Sequence, residues 1–243
     1  MLLNKLFYVF RHMNYIPGFL LDYYNFKKRA PEWPCRIIDA LPVFHERTTL
    51  MSFDKQYVYH TGWAARVLRE ISPKLHIDIS SSIMFSSIMS AFIPIEHYDY
   101  RRPILNLVGL ECGNQDLLNL RFKDGSISSL SCMHVIEHIG LGRYGDPINP
   151  TGDLEAAKEL KRVLAPGGHL IIVVPLAECA RIRFNGHRIY DYKRITELFG
   201  DCDLIEFSFL NESTDFTFKR NAKAEDIAGS RDGCGCFLFK MPL

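Results

Sequence analysis

The chain contains no apolar run approaching the ~20 residues needed to span a bilayer, so no transmembrane segment is expected. It has no C-x-x-C pair. Its seven cysteines are scattered, and Cys234-Gly-Cys236, their one close pair, fits the edge of a strand better than a metal knuckle. That usage suits a reduced, cytoplasmic compartment. Charge of one sign is not in excess: 29 Lys+Arg against 28 Asp+Glu give a net +1. Bulk electrostatics therefore offer nothing to attract nucleic acid, and no nucleic-acid partner is expected. Internal repeats and low-complexity tracts are missing. No G-x-G-x-x-G follows the first predicted strand, which argues against a nicotinamide dinucleotide site. What remains is ordinary for a globular protein: 243 residues, 47% apolar and 23% charged. That is enough for one large α/β domain or a domain with an appendage.

The first stretch, 1–47, is expected to be a helical and connector segment, with the main domain over 48–243. Residues 1–29 lack the uninterrupted apolar core of a cleavable signal but mix aromatics with Lys5, Arg11, Lys27 and Lys28. A membrane-surface helix making peripheral contact is one reading. A helix packed on the main domain or on a second subunit is the preferred one. Pro17-Gly18 is expected to break this stretch. Oligomeric state is left open.

Beyond it, Trp63, Val67 and Ile71 recur at helical spacing and face a core. Short apolar strands are expected over 75–79, 95–99, 107–111 and 127–133, the first two ending near acids. The run from Ser126 to Pro175 carries the most information. It reads as strand, polar corner (His134, Glu137, His138), glycine-rich loop, amphipathic helix with Leu154, Ala157, Leu160 and Leu164 inward, a Pro166-Gly167-Gly168 turn, and a strand apolar on both faces, 170–174. That order is the right-handed crossover of a parallel sheet. The loop 140–152 is long enough to cover a site. A short helix (193–199) and strands over 204–210 and 236–240 follow. The expected fold is α/β: a doubly wound, mostly parallel seven-stranded sheet closed by a terminal β-hairpin. Ligands in such sheets bind beyond the carboxyl ends of the strands.

Three pieces give this pattern a family resemblance. Asp116 followed by LLNLRF-KDGSIS, the corner His134-Val-Ile-Glu-His138, and Leu160-Lys-Arg-Val-Leu-Ala-Pro-Gly-Gly-His-Leu170 resemble motifs of the class I S-adenosylmethionine-dependent methyltransferases. HTGWAAR (60–66), HIDISSSIMFS (76–86), YDYRRP (98–103) and RFNGHRIYDY (183–192) are similar to one uncharacterised, methyltransferase-like branch, a domain-of-unknown-function family. The resemblance implies a Rossmann-like methyltransferase fold with S-adenosylmethionine as cofactor. By it, Asp99 accepts from the ribose hydroxyls, and Asp116 with the Leu117 N–H reads the adenine edge. The backbone around Asp78 and Ser80 approaches the methionine part, the carboxylates of Asp78, Asp99 and Asp116 converge on one crevice, and His134 belongs to the same cofactor set. His138 is the candidate general base, with Glu137 or His134 orienting it. The acceptor is expected to be a small molecule or glycan-like.

Two further readings concern the same residues. Where the superfamily places glycines after its first acid, this chain has Ser80, Ser82 and Met84. A catalytically inactive binding or scaffold protein is therefore the alternative function. His134-x-x-Glu-His138 also matches an inverted zinc-protease motif. That chemistry needs both histidines on one helix face, whereas a strand leads into this motif and glycines follow at once. No metal site is expected.

Overall fold

The structure, a computed structural model, describes residues 13–44, 46, 48–213 and 216–243. Lys5 and Arg11 of the amino-terminal mixture lie outside the described residues. The chain divides into two compact units, one ending at Phe53 and the other running from Asp54 to Leu243. In the first, helix α1 (Ile16–Arg29) begins where a break was expected, with Pro17 in its first turn. First-turn N–H groups have no intrahelical acceptor, so a proline there costs the helix nothing. Tyr15 and Phe19 pack on Phe44, and Tyr23 Oη donates to the Cys35 carbonyl. No helix among the described residues is long and apolar enough to cross a membrane.

The second unit is built on one sheet. Its strands are β1 (His76–Ser80), β2 (Ile95–Asp99), β3 (Leu110–Asn114), β4 (Ile127–Met133), β5 (Leu164–Pro175), β8 (Asp203–Asn211), β9 (Thr217–Lys219) and β10 (Gly233–Lys240), with β6 (Arg181–Arg183) and β7 (His187–Ile189) forming a separate ribbon. The order across the sheet is β3-β2-β1-β4-β5-β10-β8-β9. The first five strands are parallel, and β10 runs antiparallel between β5 and β8. Seven strands make the expected methyltransferase-type sheet with its terminal antiparallel pair, and the three-residue β9 adds an eighth at the edge. Four helices flank it: α2 (Lys55–Ile71), α3 (Ile83–Met89), α4 (Gly152–Val163) and α5 (Tyr192–Leu198).

Alternation along β5 shows why helices cover both faces. Leu170, Ile172 and Val174 pack with Ala157 and Leu160 of α4 and Phe199 after α5, whereas Ile171 and Val173 pack with Trp63 and Val67 of α2 and Phe85 of α3. Truncating a side chain as enclosed as Leu160 to alanine costs about 2–5 kcal/mol. Two expectations shift by a few residues. The buried face of α4 runs through Asp153, Ala156, Ala157, Leu160 and Val163, which turns Leu154 out to solvent. The third strand starts at Leu110 because Gly109 (φ +79°) makes a turn before it, packed against the Ser90 carbonyl where a Cβ would stand 2.5 Å away. The Pro166-Gly167-Gly168 turn is present as a bulge: Ile127 pairs with Leu164, and Ser129 with His169.

Candidate active site

The carboxyl ends of β1, β2, β3 and β4 open on a cavity of about 430 Å³. Its wall includes Ser81 after β1, Asp99 ending β2, Asp116 and Leu117 after β3, and His134 and His138 after β4. Asp99 Oδ1 accepts from the Arg101 N–H at 2.7 Å, and Asp116 Oδ1 accepts from the Leu118 N–H at 2.9 Å. Both carboxylates thus close tight turns at strand ends and keep a second oxygen for a ligand.

Asp78 and Ser80 do not join them. Asp78 is fully buried, and neither it nor Ser80 lines the cavity. It accepts from Ser80 Oγ at 2.9 Å and from Ser86 and Ser131, and His97 Nδ1 lies 3.3 Å away. Behind it His76 spans Ser129 (2.7 Å) and Ser131 (2.8 Å). The direction of these bonds is determined. Ser131 spends its proton on Asp78, so it accepts from His76 Nε2–H, and His76 Nδ1 accepts from Ser129. Burial pushes the Asp78 pKa up, but His97, His76 and the Ser131 hydroxyl outweigh it and hold it below the usual carboxylate range. Asp78 and Ser80 are therefore the polar centre of the fold, and the expected convergence of three acids is a convergence of two, Asp99 and Asp116.

The serines after β1 need no glycine. Ser81 N–H donates to the Met133 carbonyl (3.1 Å), and Ser82 caps α3. None of Ser80, Ser81 or Ser82 adopts positive φ, so the conformational freedom that glycine supplies is not called on. The unusual backbone sits instead at His134, with φ +55°. Left-handed non-glycine residues are costly and concentrate at functional sites.

His134 and His138 line both this cavity and a second one of about 530 Å³. Tyr57 joins them in both walls, stacking on His134 (5.7 Å between centroids) and sharing a 2.8 Å hydrogen bond with Ser81 Oγ. The second cavity is polar, walled also by Glu137, Arg143, Arg183, His187, Glu212 and Asp232. Arg183 pairs with Asp232 at 2.8 Å. Glu137, 1% exposed, accepts from His134 Nδ1 at 3.0 Å and lies 3.8 Å from His138 Nε2. His138 Nδ1 donates to the Gly186 carbonyl at 2.7 Å. Burial opposes a charge on His134, but its contact with Cys234 and the Glu137 carboxylate lift its pKa to about 10. Burial and the neighbouring His134 push His60 down to about 3.

The glycine-rich loop forms a braced wall of the first cavity. Asp146 accepts N–H bonds from Gly140 (2.9 Å), Gly142 (3.2 Å) and Tyr144 (3.1 Å), and Arg188 donates to the Ile139 carbonyl. Burial pushes the Asp146 pKa up, and these backbone donors more than reverse it. Tyr57, Asp146, Glu212 and Asp232 escape a sequence reading because none belongs to a motif: Asp146 sits in the glycine-rich loop and Tyr57 just before HTGWAAR, and only the fold brings them to the cavities.

A model of the family described as "Caenorhabditis protein of unknown function, DUF268" matches residues 102–230, more than half of the chain. No curated protein matches it. Among solved structures, the chain is similar to the N-methyltransferase NodS from Bradyrhizobium japonicum WM9, solved with S-adenosyl-L-homocysteine: TM-score 0.52, 14% identity, 91% of this chain and 99% of that one. It is similar to the 1,6-didemethyltoxoflavin-N1-methyltransferase of Burkholderia thailandensis, solved with bound 1,6-didemethyltoxoflavin and S-adenosylhomocysteine: TM-score 0.53, 9% identity, 84% and 100%. The cyclase SpnF matches at TM-score 0.50 and 14% identity over 74% and 81%. The fold is that of S-adenosylmethionine-dependent methyltransferases, and a fold alone does not name a reaction.

Proposed function

The chain belongs to the DUF268 family, and from that premise and the site's geometry we propose that it is an S-adenosylmethionine-dependent methyltransferase acting on a polar small molecule or glycan-like acceptor. One observation carries the reading. Asp99 and the Asp116-Leu117 pair, which follow successive strands, line a cavity that shares Tyr57, His134 and His138 with a second, polar cavity.

The residues present fit the cofactor. Asp99 offers a carboxylate oxygen to a vicinal diol, and Asp116 with the following backbone amide offers an acceptor and a donor to an adenine edge. The cofactor, when bound, supplies an electrophilic methyl group on sulfur. The protein's share is largely positioning, because an in-line displacement asks for little covalent help. The arginines, histidines and carboxylates of the second cavity suit an acceptor rich in hydroxyls, for which the shared wall is the meeting point. His138, its Nδ1–H committed to Gly186, keeps Nε2 as the proton-accepting atom. Glu137, 3.8 Å from that nitrogen, offsets the charge the ring then gains.

Isothermal titration of the full chain with S-adenosylhomocysteine tests the proposal. Saturable one-to-one binding, abolished or much weakened by Asp99→Ala, is expected. Absence of binding by the unaltered protein removes the case for a methyl donor.

A further inference from the structure

His60 on α2, His134 after β4 and Cys234 in β10 meet in the interior, with their ligand-capable atoms all within 4.8 Å of one another. We propose that His60 Nε2, His134 Nε2 and Cys234 Sγ bind one zinc ion. This metal site does not depend on methyl transfer. It is also not the H-x-x-E-H motif, since His138 takes no part and two of the three ligands lie far from that motif in the chain.

His60 is 1% exposed, and its Nε2 has no hydrogen-bond partner. Buried polar atoms are nearly always satisfied, so one that is not asks for an explanation. The rest of the ring is committed: Nδ1 donates to the Gln56 carbonyl at 2.7 Å, which aims Nε2 at the other two groups. His134 repeats the pattern, with Nδ1 on Glu137 at 3.0 Å. An imidazole held through Nδ1 by a carbonyl or a carboxylate, leaving Nε2 for the ion, is the usual outer support of a metal-bound histidine. The two rings are edge to face, 4.9 Å between centroids.

Distance and charge agree with zinc. His134 Nε2 and Cys234 Sγ lie 3.6 Å apart. Tetrahedral zinc, with Zn–N of about 2.0–2.1 Å and Zn–S of about 2.3 Å, sets such a pair about 3.6 Å apart. Closing the widest separation takes a movement of about 1 Å on the same geometry. One thiolate and two imidazoles, with no oxygen ligand, exclude magnesium and calcium and suit zinc. The Cys234 thiolate and the buried Glu137 carboxylate together balance the ion's two positive charges. On binding, zinc replaces the protons carried by Cys234 Sγ and His134 Nε2, which pass to solvent. Three protein ligands leave a fourth position for water or an acceptor atom.

The test uses the full-length chain, reduced, stripped with a chelator and titrated with cobalt(II). One equivalent is expected to raise a thiolate-to-cobalt charge-transfer band in the near ultraviolet together with tetrahedral visible bands, and zinc is expected to erase both. Cys234→Ser should abolish the charge-transfer band, and His60→Ala should weaken binding at least tenfold. Glu137→Gln should weaken it about ten- to a hundredfold. Cys179→Ser, altering an exposed thiol, should leave every signal unchanged. A wild-type chain without the charge-transfer band overturns the proposal whether or not any variant folds, as does a band that survives in Cys234→Ser. S-adenosylhomocysteine titration of the stripped protein keeps this result separate from that of the methyl-transfer reading.

Discussion

His138 donates from Nδ1 to the Gly186 carbonyl at 2.7 Å, and that bond fixes the tautomer of the ring on the wall between the two cavities. Gly186 lies in the turn between β6 and β7, so the short ribbon places the carbonyl that holds this imidazole. Replacing His138 with glutamine keeps much of the volume and removes the proton-accepting nitrogen. Turnover, measured as S-adenosylhomocysteine release once an acceptor is in hand, is expected to fall about 10²–10⁴-fold. Affinity for S-adenosylhomocysteine should change by no more than about threefold, a split in free energy of less than ~1 kcal/mol. A loss of affinity as large as the loss of rate would assign His138 to binding instead.

Asp99→Ala should separate ligand binding from stability. The carboxylate side chain is partly exposed, and its near contacts are with Arg101 on its own turn. Its loss removes a charged hydrogen-bond acceptor worth about 1.5–3 kcal/mol to a ligand, or roughly ten- to a hundredfold in the dissociation constant of S-adenosylhomocysteine. The thermal midpoint should move by no more than ~2 °C, as for most surface substitutions. Unchanged affinity would remove Asp99 from the cofactor site.

Two glycines in one loop distinguish crowding from backbone strain. Gly140 (φ +77°) would place a Cβ 2.1 Å from the Asn149 carbonyl oxygen, whereas Gly145 (φ +84°) has nothing within 4 Å of such an atom. Alanine at 145 suffers only the left-handed backbone, a cost of about 1 kcal/mol. Alanine at 140 must also push the two strands of the loop apart, where Asn149 N–H donates to the Gly140 carbonyl. Gly140→Ala should therefore lower the melting temperature by at least ~4 °C, and Gly145→Ala by about 2–4 °C. Gly140→Ala should also weaken S-adenosylhomocysteine binding, because Gly140, Tyr144 and Asp146 share the cavity wall. Equal effects of the two substitutions would show that the close approach at Asn149 is unimportant.

The fold was legible because its signals are local. Strand-end acids, the apolar run of β5 and the Pro166-Gly167-Gly168 turn each follow from a few neighbouring residues. The cavity walls at Asp99, Asp116, Leu117, His134 and His138 were legible for the same reason, since each follows a strand. Asp78 was not. An acid at a strand's end looks the same in sequence whether it faces a ligand or the interior, and what decides is a ring of partners from β2, β4 and α3: His97, Ser131 and Ser86. The nearness of His60 to Cys234, within 4.8 Å between ligand-capable atoms, was hidden for a related reason, since 174 positions of chain separate two residues that the fold brings together. Spacing rules detect ligands that share one loop or helix, and this set shares none.

The same ring around Asp78 yields a pH dependence with a definite sign. His76 is fully buried, and burial first, against the opposing pull of Asp78, lowers its pKa from 6.5 to about 4. Between those values the unfolded chain binds the proton and the folded chain does not, so stability falls as pH drops from about 6.5 to about 4, by roughly 3 kcal/mol for this group at the low end. Asp78 acts lower down. Its folded pKa lies below the unfolded carboxylate value, so its contribution is present above about pH 4 and is lost as pH falls through the folded pKa. Chemical denaturation across about pH 2–8 should show stability declining below about pH 6.5, with a further loss beneath about pH 4. In His76→Asn the slope between pH 6.5 and 4 should shrink, even though the variant is less stable throughout. Asp78→Asn should lose about 3 kcal/mol or more at neutral pH, because the serine hydroxyls and His97 are then left facing an amide that cannot accept from all of them. His60, pushed down to about 3, titrates over the same window and keeps part of the slope in that variant; a slope wholly unaltered in His76→Asn would mean that the His76–Ser131–Asp78 chain does not contribute to the acid response.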